Sequence, residues 1–401
     1  MHGRRILDEK NRSEEEREAL KLKAKKYANL CNIALLKYKS KDYSMENIEL
    51  TSSLLRINPD FYSMWNYRRH MLIHHYQDKY GLQQELSTIE EGRLSKLDTT
   101  SNTSDSDIIK QIANTEFDLT KDAIMKNPKS YCAWYHRQWI VQRFQYSTDG
   151  ELSLCNKLLS IDGRNFHCWN YRSFIIADSK VGINQELEFT SQKITENFSN
   201  YSAFHCRSHL IKHIIEEGEN VSVNKDEKEK IEYNKNNEND IVSIRNRVEQ
   251  EVEIIENAVF TEPDDQSPWW YLRFLIQCSL TAYQKIKTDN DNNNSDSDNL
   301  NTDGSASFGV WLEYLLTKLI NSIEELLEEE GGLMSNDGGR WCKLALVELY
   351  TSRYTLLHPN ANSDYERLQV ILDALIHTDP KHKVRYQYLL QYTSLSQQKS
   401  S

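Results

Sequence analysis

Copies of one short segment recur along the chain, and their spacing limits the possible folds more than any other feature. The clearest copy is Asn127-Pro128-Lys129-Ser130-Tyr131-Cys132-Ala133-Trp134-Tyr135-His136-Arg137. Aligned on the aromatic, the others read Trp65-Asn66-Tyr67-Arg68, Trp169-Asn170-Tyr171-Arg172, Phe204-His205-Cys206-Arg207 and Trp270-Tyr271-Leu272-Arg273. Asn58, Asn127, Asp162 and Asn197 stand seven residues before the aromatic, with Glu262-Pro263 slightly shifted in the fifth copy. Tyr62, Tyr131, Phe166 and Tyr201 stand three before it, and Ser267 breaks the series. From Trp134 to Trp169, and again to Phe204, the interval is 35 residues, the period of a solenoid built from two-element units.

Each copy follows an apolar-periodic stretch: 44–57, 116–126, 151–160, 185–196 and 248–260. An Asn-Pro or similar break ends that stretch, because proline cannot continue a helix interior. Helix, turn, and a second helix opening on aromatic-x-x-Arg is therefore the unit. The pattern predicts an all-α fold, a right-handed superhelical solenoid of antiparallel helical hairpins. Residues 1–43 read as an N-terminal helical region, with Leu20, Ala24, Tyr27, Ala28, Cys31, Ala34 and Leu35 at helical spacing. Five hairpins occupy 44–280, interrupted by polar insertions near 97–107 and 217–243. The Asn/Asp-rich run 281–308 reads as a disordered linker, and 309–401 as capping helices and a tail.

The formal charge of -11 argues against a nucleic-acid binder, whose phosphate contacts need a Lys/Arg-dominated face. Any anion must be held by a local basic cluster. No run approaches the roughly 18 apolar residues of a membrane span, and the start is charged, so a soluble, cytoplasmic protein is expected. Seven cysteines without a Cys-x-x-Cys pair fit reduced thiols, several of them inside the repeats. P-loop, His-Glu-x-x-His, nucleophile-elbow and Rossmann motifs are all missing, so the chain carries no self-sufficient catalytic set.

Repeated aromatics and arginines are first of all structural: Trp65, Arg68, Trp134, Arg137, Trp169, Arg172, Phe204, Arg207, Trp270 and Arg273 are assigned to the shared core and its hydrogen bonds. Function is sought where the copies differ. Five residues before the aromatic stand Asp60, Lys129, Arg164, Ser199 and Asp265, so only the second and third copies present a cation. Lys129 and Arg164, with Tyr131 and His167 in the same turns, form a candidate anion site suited to a diphosphate or a carboxylate-rich partner. His205, His209 and His213 share one helix face, but only adjacent members of such a row reach one ion, and packing explains them better.

The repeats, with Asn-Pro-Lys-Ser-Tyr-Cys-Ala-Trp-Tyr-His-Arg as the clearest, resemble those of protein prenyltransferase alpha subunits over about 44–280. Met1-His2-Gly3-Arg4, Asn58-Pro59-Asp60-Phe61, Asn165-Phe166-His167-Cys168-Trp169 and Asp264-Asp265-Gln266-Ser267 are most similar to the Rab (type II) geranylgeranyltransferase branch. The alpha subunit shared by farnesyltransferase and type I geranylgeranyltransferase is the alternative. The resemblance implies a crescent wrapped around a beta subunit that holds zinc and the isoprenoid pocket. It also implies geranylgeranyl diphosphate as donor, a Rab GTPase as acceptor and a Rab escort protein as a further partner. On this likeness Lys129 and Tyr131 fall on the diphosphate side with His167 beside them, and Arg164 joins Lys129 in facing the lipid diphosphate. The likeness assigns no metal to this chain, except that terminal His2, by default solvated, is placed within reach of the partner's zinc. The immunoglobulin-like and leucine-rich modules of some type II relatives have no counterpart in the sequence. A tetratricopeptide-like peptide-binding scaffold is the competing class, but it places small residues where this chain has aromatic-x-x-Arg.

Overall fold

The computed structural model describes residues 13–80, 103–144, 149–178, 182–217, 238–293, 303–335, 338–354 and 362–400. His2 lies outside them, as do 97–102, 218–237 and 294–302 of the expected polar insertions and linker. The described residues are α-helical, apart from turns, a short 3-10 segment at Pro380–His382 and a π-helical end at 353–354. The helices are α1 (Glu14–Lys39), α2 (Asn47–Ile57), α3 (Tyr62–Tyr80), α4 (Thr103–Lys126), α5 (Tyr131–Phe144), α6 (Asp149–Ile161), α7 (Phe166–Asp178) and α8 (Ile183–Glu196). They continue as α9 (Tyr201–Glu217), α10 (Glu238–Thr261), α11 (Gln266–Asn293), α12 (Asp303–Glu329), α13 (Arg340–Ser352), α14 (Asn362–Thr378) and α15 (Lys383–Ser400). The hairpins are α2/α3, α4/α5, α6/α7, α8/α9 and α10/α11. Two compact units divide the chain, Met1–Ile175 and Ile176–Ser401.

The hairpin turns follow from their residues. Seven before the aromatic, the Asn or Asp side chain accepts the backbone N–H two residues on: Asn58 from Asp60, Asn127 from Lys129, Asp162 from Arg164 (3.2 Å each) and Asn197 from Ser199 (2.9 Å). This is the Asx turn that short polar side chains favour. The indole N–H then donates back to the turn, Trp65 to Pro59 O (2.7 Å), Trp134 to Pro128 O (2.8 Å) and Trp169 to Gly163 O (2.9 Å). Asn165 and Asn200 cap the next helix, accepting from Cys168 N (3.3 Å) and Ala203 N (3.2 Å).

In the first unit the repeated arginine links successive hairpins. Arg68 Nε and Nη2 grip Glu116 of α4 at 2.7–2.9 Å, while its Nη1 donates to Ile48 O, Thr51 Oγ1 and Ser52 Oγ of α2. Arg137 repeats the arrangement with Glu151 of α6 (2.7 Å) and with Phe117 O and Thr120 Oγ1 of α4 (2.8 Å). The carboxylate takes one more donor from the residue before the next arginine: Glu116 from His136 (2.8 Å), Glu151 from Tyr171 (2.6 Å). Every partner is satisfied, which is what makes a buried ion pair tolerable. Ahead of these hairpins, Ser13 and Glu16 close a capping box at the start of α1, whose first half is exposed.

In the second unit Arg207 does the same with Glu251 of α10 (2.5 and 2.8 Å) and with Leu187 O and Thr190 Oγ1 of α8. Tyr271 OH completes Glu251 at 2.7 Å. The fifth copy is corrected by one residue. Trp269, not Trp270, is 5% exposed and donates its indole N–H to Pro263 O (2.7 Å), and Tyr271 then takes the place of Tyr171. Leu272 stands where the other copies have arginine, and Arg273 is 60% exposed, near Glu348 at 3.6 Å. Trp270 lies beside Tyr201 and His205, with ring centroids 4.9 and 6.1 Å away. In this register Asp264, not Asp265, is the fifth counterpart of Lys129, and Asp265 caps α11 through Ser267 N (2.7 Å).

The disorder expected over 281–308 is corrected at both ends. Residues 281–293 extend α11 and 303–308 open α12, because Ala282, Ile286 and Phe308 keep an apolar stripe buried. Likewise 103–107 begin α4, and 238–243 belong to α10. Beyond α12, the glycines at 331, 332 and 339 take positive φ in the loop to α13. Helix α15, not foreseen as an element, buries Tyr386, whose hydroxyl donates to Asp379 (2.7 Å).

Candidate functional site

The turn before α5 and the first residues of α7 bring three of the four expected site residues together, all within the first unit. Lys129 is at the tip of the Asn127 turn, 71% exposed, with Nζ 3.7 Å from Asp162 Oδ2 of the next turn. Tyr131 opens α5 with its ring 68% exposed and meets the His167 ring edge-on, centroids 4.2 Å apart. Phe166 supports both, at 5.9 Å from Tyr131 and 3.9 Å from His167. Arg164 occupies the Asp162 turn with its guanidinium exposed.

His167 is buried, and its backbone N–H is held by Asn165 Oδ1 (3.1 Å). Burial first, and the Lys129 charge second, push its pKa below the usual imidazole value, so the ring is neutral at pH 7. The cluster presents an ammonium and a phenol to solvent over a neutral imidazole. Such a set is chemically suited to an anion; it holds no activated nucleophile. Among the described residues no group of three His, Cys, Asp or Glu side chains is placed to hold a metal ion. His205 and His209 simply stack edge to face at 4.8 Å.

Asp162 as the partner of Lys129 was missed in the sequence, and so were the carboxylates that hold the arginines. Their signal was present: Glu116, Glu151 and Glu251 each stand 18 residues before Trp134, Trp169 and Trp269.

These features define an all-α protein of helical-hairpin repeats. Residues 44–75, 113–144, 148–178, 183–214 and 248–279 each match the protein prenyltransferase alpha subunit repeat. The chain belongs to the protein prenyltransferase alpha subunit family. It is 33% identical over 281 residues to the geranylgeranyl transferase type-2 subunit alpha of Rattus norvegicus, matching 69% of this chain and 42% of the relative. The protein of the same name from Saccharomyces cerevisiae is 26% identical over 381 residues, 91% of each chain. The chain thus spans less than half the length of the mammalian relatives it matches and most of the yeast one. A solved structure, Candida albicans protein geranylgeranyltransferase-I complexed with GGPP, superposes with a TM-score of 0.53 at 16% identity, covering 92% of this chain and 90% of that one. That likeness concerns the fold. No helix among the described residues is long and apolar enough to cross a membrane.

Proposed function

We propose that this chain is the alpha subunit of a heterodimeric Rab geranylgeranyltransferase, inactive without its beta subunit. The enzyme moves a geranylgeranyl group from geranylgeranyl diphosphate to C-terminal cysteines of Rab GTPases presented by an escort protein. The observation that carries the reading is the similarity to yeast type-2 subunit alpha along 91% of both chains. In the reaction a cysteine sulfur bonds to C1 of the lipid, the C1–O bond breaks, and its electron pair leaves with diphosphate. Zinc, assigned to the beta subunit, would supply the thiolate. This chain's share is at the leaving group. Lys129 and Tyr131 donate to diphosphate oxygens as negative charge builds there, the kind of preorganised contact that lowers a barrier most. His167 props the Tyr131 ring, and Arg164 adds a second cation on the diphosphate side.

The test is transfer of labelled geranylgeranyl to a Rab GTPase with a double-cysteine tail, using the chain alone and then with a type II beta subunit, zinc and escort protein. Activity only in the mixture is expected. Transfer instead to a single-cysteine CaaX substrate with another beta subunit would make the chain the alpha subunit shared by farnesyltransferase and the type I enzyme. Failure to bind either beta subunit would leave a non-catalytic scaffold.

A further inference from the structure

A half-buried arginine without a counter-ion among the described residues lines a cleft in the first unit that Tyr131 also borders. Arg68 and Glu116 neutralise each other, and His136 adds no charge. Burial, outweighing the pull of Glu116, drops the His136 pKa to about 4. Its Nε2–H donates to Glu116, so the Nδ1 lone pair is left to accept from Arg69 Nη1 at 3.5 Å. Arg69 is half-buried, donates to Asn66 Oδ1 and lies over the Tyr135 ring at 5.0 Å. Every one of these partners is neutral. Among the described residues no carboxylate pairs with Arg69, and burial lowers its pKa, the mark of a desolvated cation.

Arg69 lines a cleft of about 540 Å³ between α3 and α5, walled by Tyr62, Tyr131, Cys132, Tyr135 and Trp139. It is the one charged group in the lining at pH 7: His70, the other basic side chain there, is kept neutral by burial and by Arg69 itself. One guanidinium matches one carboxylate, which it can grip at two oxygens. A diphosphate needs several cations, and Lys129, which faces Asp162, is not among the lining residues. The mouth is aromatic, with Tyr62 and Tyr131 61% and 68% exposed. Tyrosines around a desolvated arginine have the composition of a protein–protein hot spot.

We propose that the cleft between α3 and α5 receives an aspartate or glutamate side chain of the partner subunit, which pairs with Arg69. The proposal rests on the reading of the chain as one subunit of a heterodimer. The partner's carboxylate completes an ion pair for which this chain supplies only the cation and its neutral supports.

The experiment uses the co-expressed heterodimer with Arg69→Gln and Arg69→Lys, reading subunit dissociation by exchange with labelled alpha chain. Arg69→Gln should raise the subunit Kd at least tenfold, mainly through faster dissociation, with Arg69→Lys intermediate. Each acidic residue of the beta subunit's alpha-facing surface is then neutralised in both backgrounds. One should weaken the dimer alone and add little to Arg69→Gln, the coupling expected of a direct pair and not of a folding defect. A Kd within twofold of wild type, or coupling to no partner acid, overturns the proposal. So does an unchanged Kd with a raised KM for lipid or Rab, which would hand the cleft to a substrate. A wild-type chain that binds no beta subunit instead sinks the functional reading itself.

Discussion

In the proposed reaction, Lys129 is the residue that meets the leaving diphosphate. Its pairing with Asp162 is exposed and long, an interaction worth roughly 0–1 kcal/mol, so an arriving diphosphate can take the ammonium over. Lys129→Ala should leave the heterodimer intact and slow transfer by about tenfold or more at saturating lipid, measured in single turnover. Normal turnover would end the diphosphate assignment. His136 gives a second prediction, about acid. Its pKa is about 4 in the fold and near the ordinary imidazole value of 6.5 once unfolded, so below pH 6.5 the unfolded chain binds the extra proton. Stability should therefore fall with decreasing pH between 6.5 and 4. Glu116, raised by burial but held at about 2 by Arg68 and His136, should extend the loss below pH 4.5. Urea midpoints against pH would show this, and His136→Asn should flatten the upper part of the curve. Lys129 was singled out in the sequence because it departs from the other copies, and Tyr131 and His167 because they share its turns. Arg69 was not, since what marks it is a missing counter-ion beside a cleft, and neither appears in a linear pattern.

Among the elements, the hairpin was legible because its signals are local: an Asx turn, a break, an aromatic and an arginine within a dozen residues. The fifth register misled because two tryptophans adjoin and the arginine at 273 lies one position late. The physical criterion is the indole bond to the turn carbonyl, which Trp269 makes. Leu272 replaces the arginine in the last copy. Helix α15 escaped because it shows little amphipathic pattern; among its described residues Tyr386 is the one that is fully buried, and it bonds Asp379. The corrected register predicts a contrast. Arg207→Ala leaves Glu251 buried and should cost about 3–5 kcal/mol, while Arg273→Ala should stay within about 0.5 kcal/mol. Trp269→Ala should likewise cost about 3–5 kcal/mol. Equal effects of the two arginine changes on the urea midpoint would restore the uncorrected alignment.

Across the whole chain, the bridges Arg68–Glu116, Arg137–Glu151 and Arg207–Glu251 each join a hairpin to its immediate successor. Asn47 stands where later copies carry glutamate, consistent with its place in the first hairpin, which has no preceding arginine to serve; it takes Lys37 Nζ of α1 instead, at 2.6 Å. Nearest-neighbour coupling of this kind makes stability approximately a sum over repeats and their junctions, so damage should remain local. Glu116→Gln provides the test, because it strips Arg68 of its buried counter-charge at a cost of about 3–5 kcal/mol. Hydrogen exchange should then accelerate most in α2, α3, α4 and α5, the helices that supply and brace that cluster, while α12, α13 and α14 keep their protection. Uniform acceleration through all of these helices would mean that the chain unfolds as one cooperative block, and the sum over repeats would have to be abandoned.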